Sequence, residues 1–305
     1  MMVPMRFSFW PNSAQTWSDI ESTARHAEET GWDGIYVADH FLPSLGDDGG
    51  PMHECFALLA GLATTVPRLR LGSLVCGNTY RHPAVLANQA VTLDHLSGGR
   101  LVLGLGAGWQ ENEHEAYGIR LPPVKERLDM FEEACEVVKS LLTQRRTTLE
   151  GRYYALHDAP CEPKPLQDPL PLLVGGGGEK RTLRVAARFA DEWNVWGTPE
   201  LLAHKGAVLE RHCEDVGRDP TAIARSTQAL LFMSDDQEFL QRIRDADMPR
   251  PMLIGTPAEI TETLLRYREA GVDEFIVPDF TLPAVGPQRW DIMDRFIGEA
   301  ATDLR

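Results

Sequence analysis

The chain has 305 residues, of which 43% are hydrophobic and 25% charged, with 26 glycines and 21 prolines. This composition excludes a disordered or fibrous protein, and the length suits two small domains or one large barrel. Acidic residues outnumber basic ones by 45 to 30, so the net charge is −15. That balance argues against a nucleic-acid partner and against binding to an anionic membrane surface.

The five cysteines, at positions 55, 76, 135, 161 and 213, are scattered and form no CxxC pair. An odd, dispersed set in a chain of this length indicates reduced thiols. The first residues lack the pattern of a signal peptide, and no run of 18 apolar residues could span a membrane. We therefore expect a cytoplasmic protein. We also expect that it has no metal site, that it acts on a small molecule and that it forms a homodimer.

Short apolar runs alternate with longer amphipathic segments along the chain. Their contiguous apolar character, as in LVLGLG, PLLVG and EFIVP, is typical of parallel strands buried on both faces. The predicted strands cover residues 5–10, 34–38, 69–75, 101–105, 172–174, 193–196, 228–233 and 274–277. Helical spacing of apolar residues follows, most clearly in residues 17–27 and 124–142.

Eight strands, each followed by a helix, predict an α/β fold, a (β/α)8 TIM barrel formed by residues 1–305 as a single domain. An open doubly wound sheet is the alternative. Two insertions interrupt the alternation of strands and helices, one near residues 41–52 and one near residues 147–169. The second contains TTLEGRYYAL, which predicts a small hairpin before the fifth strand.

Polar and glycine-rich segments follow several strands, at the end of a barrel where active sites lie. Asp39 and His40 follow the second strand, and a histidine there could exchange protons near neutral pH. The third strand ends at Leu74 and Val75. A structural turn is the alternative for Asp39 and His40, and a strand followed by a turn is the simpler explanation for the segment after the third strand.

Two glycine clusters follow later strands. The first has the spacing GxGxG at positions 104, 106 and 108, which lets the backbone approach a flat ligand or allows tight packing in the barrel. Acidic residues and a histidine at 111–115 fit a solvated helix start better than a metal site. The second cluster, residues 175–178, leads into a predicted helix. The first turns of this helix carry Lys180, Arg181 and Arg184, and together these features predict an anion or phosphate site.

These segments resemble the bacterial luciferase-like family, and in particular its branch that uses the deazaflavin coenzyme F420. The similar stretches are residues 31–43, 69–109, 170–194 and 254–278. The family fold is a TIM barrel with insertions, which agrees with the element count. The resemblance implies an oxidoreductase that passes a hydride between coenzyme F420 and a small organic substrate.

The resemblance also implies roles for individual residues. Asp39 and His40 match the pair that contacts the deazaflavin, with His40 as the catalytic residue. Leu74 and Val75 match a bulge where a non-prolyl cis peptide supports the ring. The remaining cofactor-binding matches are Gly106, Asn112, Gly175, Gly176, Gly177 and Gly178, of which the last three bind phosphate through backbone amides.

The chain departs from the sugar-phosphate dehydrogenases of this family in two places. Trp109 stands where they have a carboxylate, and the segment after the sixth strand, residues 196–199, lacks their lysine. We therefore do not expect glucose 6-phosphate to be the substrate. With Trp10, Phe41 and Trp109 lining the substrate pocket, we expect a less polar substrate, planar or carbonyl-bearing.

Three alternatives remain open at this stage. The chain could be a monooxygenase that uses flavin mononucleotide (FMN) and needs a partner flavin reductase. It could be a deazaflavin carrier without turnover, although a carrier needs neither His40 nor an aromatic pocket. An unrelated phosphate-binding barrel would explain residues 175–178 but not Asp39 and His40.

Overall fold

A computed structural model describes residues 4–43, 50–246 and 248–305, in which strands and helices alternate. The strands are β1 (Arg6–Trp10), β2 (Gly34–Val37), β3 (Arg70–Ser73), β4 (Cys76–Gly77), β5 (Leu101–Gly106), β6 (Thr147–Glu150), β7 (Ala155–Ala159), β8 (Leu172–Gly175), β9 (Glu192–Asn194), β10 (Ala224–Gln228), β11 (Leu230–Met233), β12 (Met252–Gly255) and β13 (Glu274–Pro278). The helices are α1 (Trp17–Thr30), α2 (Cys55–Thr65), α3 (Pro83–Ser97), α4 (Glu111–Tyr117), α5 (Val124–Thr143), α6 (Thr182–Phe189), α7 (Pro199–Val216), α8 (Gln237–Arg244), α9 (Pro257–Glu269) and α10 (Pro287–Arg295). Among the described helices, none is long and apolar enough to cross a membrane.

The principal sheet is a closed parallel barrel, as the sequence predicts. Its strands follow the order β3, β2, β1, β13, β10, β9, β8, β5 and β4, and β3 also pairs with β5 at Leu71 and Leu101, which closes the ring. The short β4 continues β3 and pairs with the upper part of β5. The barrel therefore has eight staves, and the carboxyl ends of all eight form one mouth, the barrel mouth.

The prediction for the seventh strand is wrong. The stave between β9 and β13 is β10, whereas β11 lies beyond it and pairs in parallel with β12 in a separate two-stranded sheet. The sequence of β10, ARSTQ, is polar, yet Ser226 and Gln228 are buried. The Asn194 side-chain amide donates hydrogen bonds to both, at 2.9 and 2.8 Å, so these polar groups are satisfied inside the barrel.

The other predicted elements agree with the structure. Helix α1 is capped by the Thr16 side chain and by Gly31 at φ +91°, a left-handed conformation that glycine adopts without strain. Residues 124–142 lie in α5, and β6 and β7 form the predicted antiparallel hairpin. Part of the first predicted insertion, residues 44–49, lies outside the described residues.

The barrel interior is polar at its base and apolar below the mouth. At the base, Arg70 pairs with the buried carboxylates of Glu274 and Glu192 at 2.7 and 2.5 Å. Nearer the mouth lies an apolar layer made of Trp10, Tyr36, Leu74, Val102, Leu173 and Ile276. This layer forms the lower boundary of the space in which a ligand would sit.

Candidate functional site

The His40 side chain lies at the barrel mouth, just beyond β2, and is held by a carboxylate from α4. Its Nδ1 is 2.7 Å from Oε1 of Glu113, which is fully buried. The other oxygen of Glu113 accepts the backbone N–H groups of Phe41 at 2.7 Å and Leu42 at 3.2 Å. The Tyr80 hydroxyl donates to Oε1 as well. Four donors therefore converge on one buried carboxylate.

These hydrogen bonds keep Glu113 ionised and set the tautomer of His40. Burial raises the pKa of Glu113, but hydrogen bonds from His40, Tyr80 and the Phe41 amide outweigh it, so the pKa lies below its ordinary value. Burial and the Glu113 carboxylate raise the pKa of Tyr80, so its hydroxyl stays protonated. An ionised carboxylate can only accept, so Nδ1 of His40 carries a hydrogen. Its Nε2 is then available to exchange a proton with a ligand.

The interpretation of residues 111–115 as a solvated helix start is wrong for two of them. Glu113 and His114 are buried, while Glu111 and Glu115 on the same helix are exposed. His114 is fixed at both ring nitrogens, by the Gln110 carbonyl at 2.6 Å and the Thr79 hydroxyl at 2.8 Å. Because α4 is only seven residues long, its periodicity gave no signal of which face is buried.

Asp39 is buried beneath the mouth, where it holds other residues in place. Its carboxylate accepts two hydrogen bonds from Arg81, at 2.6 and 2.8 Å, and one from the Gly77 amide at 3.1 Å. Arg81 also binds Glu54 at the start of α2. The Asp39 carboxylate thus links the loop after β2 to β4, and a contact of this residue with a cofactor stays a prediction.

The bulge between β3 and β4 has the geometry that the resemblance implies, because the Leu74–Val75 peptide bond is cis. The Val75 side chain fills a slot lined by glycine backbone. A Cβ atom at Gly106 or Gly175 would come within 2.9 Å of a Val75 methyl group, so neither position can carry a side chain without displacing it. The glycines of β5 and β8 therefore serve packing around the bulge, where Leu74 is buried in the apolar layer and Val75 is partly exposed.

Residues 175–178, which we call the glycine loop, leave β8 and turn toward α6. The loop carbonyls are held from behind, since Trp193 Nε1 donates to the Gly176 oxygen at 2.9 Å and Lys205 Nζ to the Gly177 oxygen at 2.7 Å. Within the described part of the chain, no backbone hydrogen bond uses the amides of Gly177 and Gly178. These two N–H groups are suitable donors for an anion.

The predicted basic character of the helix after the loop is reduced by ion pairs. Arg181 contacts Asp129 at 2.7 Å and Glu132 at 3.3 Å, both on α5. Lys205 is paired with Glu179 at 3.2 Å. Lys180 and Arg184 are exposed and form no ion pair among the described residues, so they keep their charge near the loop.

The predicted aromatic residues lie on different sides of the mouth. Trp109 is 55% exposed and meets the His40 ring edge-on at 5.6 Å. Phe41 packs against Tyr80 and Tyr117. Trp10 lies across the mouth in the apolar layer.

The predicted cofactor contact Asn112 is exposed on α4, where its side-chain oxygen accepts the Glu113 amide. The structure thus brings the side chains of His40 and Trp109 into contact, whereas the side chains of Phe41 and Asn112 contact other residues. All four assignments stay predictions.

The structure is a parallel (β/α)8 barrel with His40, the Leu74–Val75 bulge and the glycine loop at the carboxyl ends of its strands. The chain belongs to the luciferase-like monooxygenase family, whose model matches residues 1–246.

Two curated relatives are named F420-dependent glucose-6-phosphate dehydrogenase. The relative from Kineococcus radiotolerans is 40% identical over 70% of this chain and 63% of its own length. The relative from Microbacterium testaceum is 32% identical over 67% of this chain and 61% of its own length. The chain thus aligns with about three fifths of the length of these relatives.

Solved structures share the fold over nearly the whole chain. An F420-dependent secondary alcohol dehydrogenase in complex with an F420-acetone adduct has a TM-score of 0.83 and 21% identity, and covers 98% of this chain and 99% of its own. The coenzyme F420 dependent tetrahydromethanopterin reductase from Methanopyrus kandleri has a TM-score of 0.82 and 17% identity, and covers 99% and 100%. At these identities the similarity shows the barrel fold.

Proposed function

We propose that the protein is an oxidoreductase that uses coenzyme F420 and acts on a small organic molecule. The observation that carries the proposal is the His40–Glu113 pair at the barrel mouth. The names of the curated relatives support coenzyme F420 as the cofactor.

The residues present fit such a cofactor. A deazaflavin is flat, and the partly exposed Val75, packed on the buried apolar layer that contains Leu74, offers an apolar surface for one face of the ring. The cofactor also carries a phosphate, for which the glycine loop offers the two amides of Gly177 and Gly178. Gly177 has no room for a side chain in this conformation, because a Cβ atom there would lie 2.9 Å from a Val195 methyl group.

When bound, the deazaflavin supplies hydride transfer, and the protein supplies orientation and proton exchange. His40 is the group that we assign to the proton that accompanies the hydride. Glu113 holds the His40 ring through Nδ1, which keeps Nε2 directed away from the carboxylate and available to substrate. The buried carboxylate also stabilises the imidazolium that forms when Nε2 takes up a proton.

The substrate that we propose is a small planar or carbonyl-bearing molecule, or the corresponding alcohol. The curated relatives are named for glucose 6-phosphate, but this chain has Trp109 and residues 196–199 at the two positions where the sequence departs from them. The aromatic side chains at the mouth favour a flatter and less polar molecule than a sugar.

We also propose that the protein works in the cytoplasm as a homodimer, without nucleic-acid or membrane partners. All five cysteines are buried and unpaired by disulfides, which suits a reducing compartment. Light scattering after gel filtration would measure the oligomeric state, and a monomer at micromolar concentration would contradict the dimer.

Fluorescence titration with the two candidate cofactors tests the cofactor assignment. We expect coenzyme F420 to bind at least about tenfold more tightly than FMN, which corresponds to about 1.4 kcal/mol. Equal affinity, together with oxygen-dependent turnover on reduced FMN, would instead favour the monooxygenase. Tight F420 binding without turnover on any alcohol or carbonyl compound would favour the carrier.

A further inference from the structure

Two carbonyl groups of the glycine loop accept hydrogen bonds from side chains of neighbouring elements. Trp193 of β9 donates its Nε1 hydrogen to the Gly176 oxygen at 2.9 Å, and Lys205 of α7 donates from Nζ to the Gly177 oxygen at 2.7 Å. The Lys205 side chain is only 14% exposed. Its stem packs on the loop, since a Cβ atom at Gly177 would lie 3.2 Å from Lys205 Cε. The ammonium group is thus held against the loop.

These two hydrogen bonds decide the direction of two loop amides. Both peptides are trans, and in a planar trans peptide the C=O and N–H bonds point in opposite directions. The Gly176 oxygen belongs to the same peptide as the Gly177 N–H, and the Gly177 oxygen to the same peptide as the Gly178 N–H. The N–H groups of Gly177 and Gly178 therefore point away from Trp193 and Lys205.

Both donors lie on the outer side of the barrel wall. Side chains alternate between the two faces of a strand, and the neighbours of Trp193 on β9, Glu192 and Asn194, contact polar groups inside the barrel. Trp193 therefore points outward into the layer of helices, where α7 supplies Lys205. The two loop N–H groups point the other way, toward the barrel mouth.

Lys205 also holds the nearest negative charge. Glu179 directly follows the loop, and its carboxylate lies 3.2 Å from Lys205 Nζ and 3.1 Å from Nε2 of His204, which are both on α7. Hydrogen bonds from Lys205 and His204 lower the pKa of Glu179, so this group stays ionised. Without Lys205, the carboxylate would lie beside the loop with His204 as its remaining ion-pair partner.

We propose that Lys205 is a positioning residue for the phosphate of the coenzyme. It holds the Gly177–Gly178 peptide so that the Gly178 N–H faces a phosphate oxygen, and it keeps the Glu179 carboxylate on the α7 side of the loop. The ammonium group does not touch the phosphate, because it lies behind the peptide whose N–H faces the ligand. This inference rests on the proposed function and deepens it at the cofactor site.

Calorimetric titration with two deazaflavins that differ in a single phosphate tests this assignment. One is the deazaflavin of the coenzyme with its ribityl chain ending in a free hydroxyl, and the other is the 5′-phosphate of the same compound; coenzyme F420 is titrated as well. The proteins are the wild type, Lys205→Met, Lys205→Arg and the control Arg145→Met. Methionine keeps the packing of the stem, so Lys205→Met should fold. Arg145 is exposed beyond the C-terminal end of α5, so its loss removes the same charge away from the mouth.

We expect Lys205→Met to weaken binding of the phosphorylated deazaflavin and of coenzyme F420 by about 10- to 100-fold, as for the loss of a hydrogen bond from a charged donor. Binding of the unphosphorylated compound, and all binding by Arg145→Met, should change by less than about threefold, since neither involves the loop peptide. Lys205→Arg keeps a cationic donor, so its affinity for the phosphorylated compounds should lie between those of the wild type and Lys205→Met.

Hydrogen exchange of the coenzyme-free proteins, followed by mass spectrometry, separates positioning from direct contact. The Leu183 amide donates to the Gly178 oxygen at 3.0 Å, so its exchange reports how firmly the loop is held. In Lys205→Met we expect faster exchange in peptides that cover residues 176–183 and unchanged exchange in the barrel strands. Loss of phosphate affinity with unchanged exchange in residues 176–183 would mean that Lys205 contacts the phosphate itself, and it would overturn the positioning role.

The assignment is also overturned if folded Lys205→Met binds both deazaflavins as the wild type does, or if it loses affinity for both equally. Equal affinity of the wild type for the two deazaflavins would remove the phosphate site from the loop. Failure of the wild type to bind any of the three compounds would count against the proposed function itself. Intact binding by the wild type, with no effect of Lys205→Met, counts against Lys205 alone.

Discussion

Replacement of Glu113 by glutamine changes the hydrogen bonding of His40 while it keeps the shape of the side chain. The amide oxygen can take the place of Oε2 and retain the bonds from the Phe41 and Leu42 amides. The amide NH₂ then faces Nδ1 of His40 and the Tyr80 hydroxyl, where an acceptor stood before. Both neighbours can rotate or change tautomer to accept from it, so the variant should fold.

The cost to catalysis follows from the tautomer. When Nδ1 of His40 accepts a hydrogen bond from the introduced amide, the ring hydrogen moves to Nε2, which can then no longer act as a base. The buried negative charge that would stabilise an imidazolium is lost as well. The contribution of a positioned acid or base is about 10²- to 10⁴-fold in rate, and we expect most of it to disappear. The free energy of unfolding should fall by about 1–3 kcal/mol, because charge-assisted hydrogen bonds become neutral ones.

Steady-state rates with coenzyme F420 and an active substrate measure this effect, beside urea unfolding of the same proteins. The matched control is Glu111→Gln, which removes an exposed carboxylate from the same helix and should keep wild-type turnover. Turnover of Glu113→Gln within about threefold of the wild type, with coenzyme bound, would refute the reasoning, because a positioned base contributes far more than that.

Other substitutions test separate parts of the structure. Gly177→Asp puts a Cβ atom 2.9 Å from a Val195 methyl group and so shifts the glycine loop, and it adds a negative charge beside the amides assigned to a phosphate. Equilibrium titration should therefore show weakened coenzyme binding in a folded protein; unchanged affinity would remove the phosphate assignment. His40→Ala should keep coenzyme affinity within a few fold and lower turnover by about 10²–10⁴, whereas near wild-type turnover of His40→Phe would rule out proton transfer. Arg70→Met leaves Glu192 without its ion-pair partner and Glu274 with Arg6 at 3.3 Å, so chemical denaturation should show a loss of about 3–5 kcal/mol, against little change for the exposed Arg68→Met. The pKa of Glu113 is depressed below 4.5 in the folded protein. Its contribution to stability is therefore full above pH 4.5 and is lost as the pH falls through the lower, folded-state pKa. The difference in unfolding free energy between the wild type and Glu113→Gln should narrow in that acidic range, and a difference independent of pH would contradict this account.

The barrel could be predicted from the sequence because seven of its eight strands overlap short, largely apolar runs that lie between helical patterns. The prediction failed at β10, where buried Ser226 and Gln228 are satisfied by an amide that lies 32 and 34 positions away. Polar residues in a sequence normally indicate exposure to solvent. Only the folded structure shows the hydrogen-bond partner that allows them to be buried.

The candidate site was predictable where it depends on local sequence. His40 after a strand, the cis bulge and the glycine loop all lie at strand ends that short motifs identify. Glu113 was missed because its partners are distant in the chain, 73 positions away for His40 and 33 for Tyr80.

An anaerobic turnover experiment tests the central claim most directly. Purified protein is mixed with oxidised coenzyme F420 and a series of small alcohols, or with the reduced coenzyme and the matching carbonyl compounds, and the coenzyme's absorbance is followed. We predict that at least one pair is interconverted with one coenzyme consumed per product, at the same rate with and without oxygen. Turnover that requires oxygen and reduced FMN, with no change in coenzyme F420, would contradict the account.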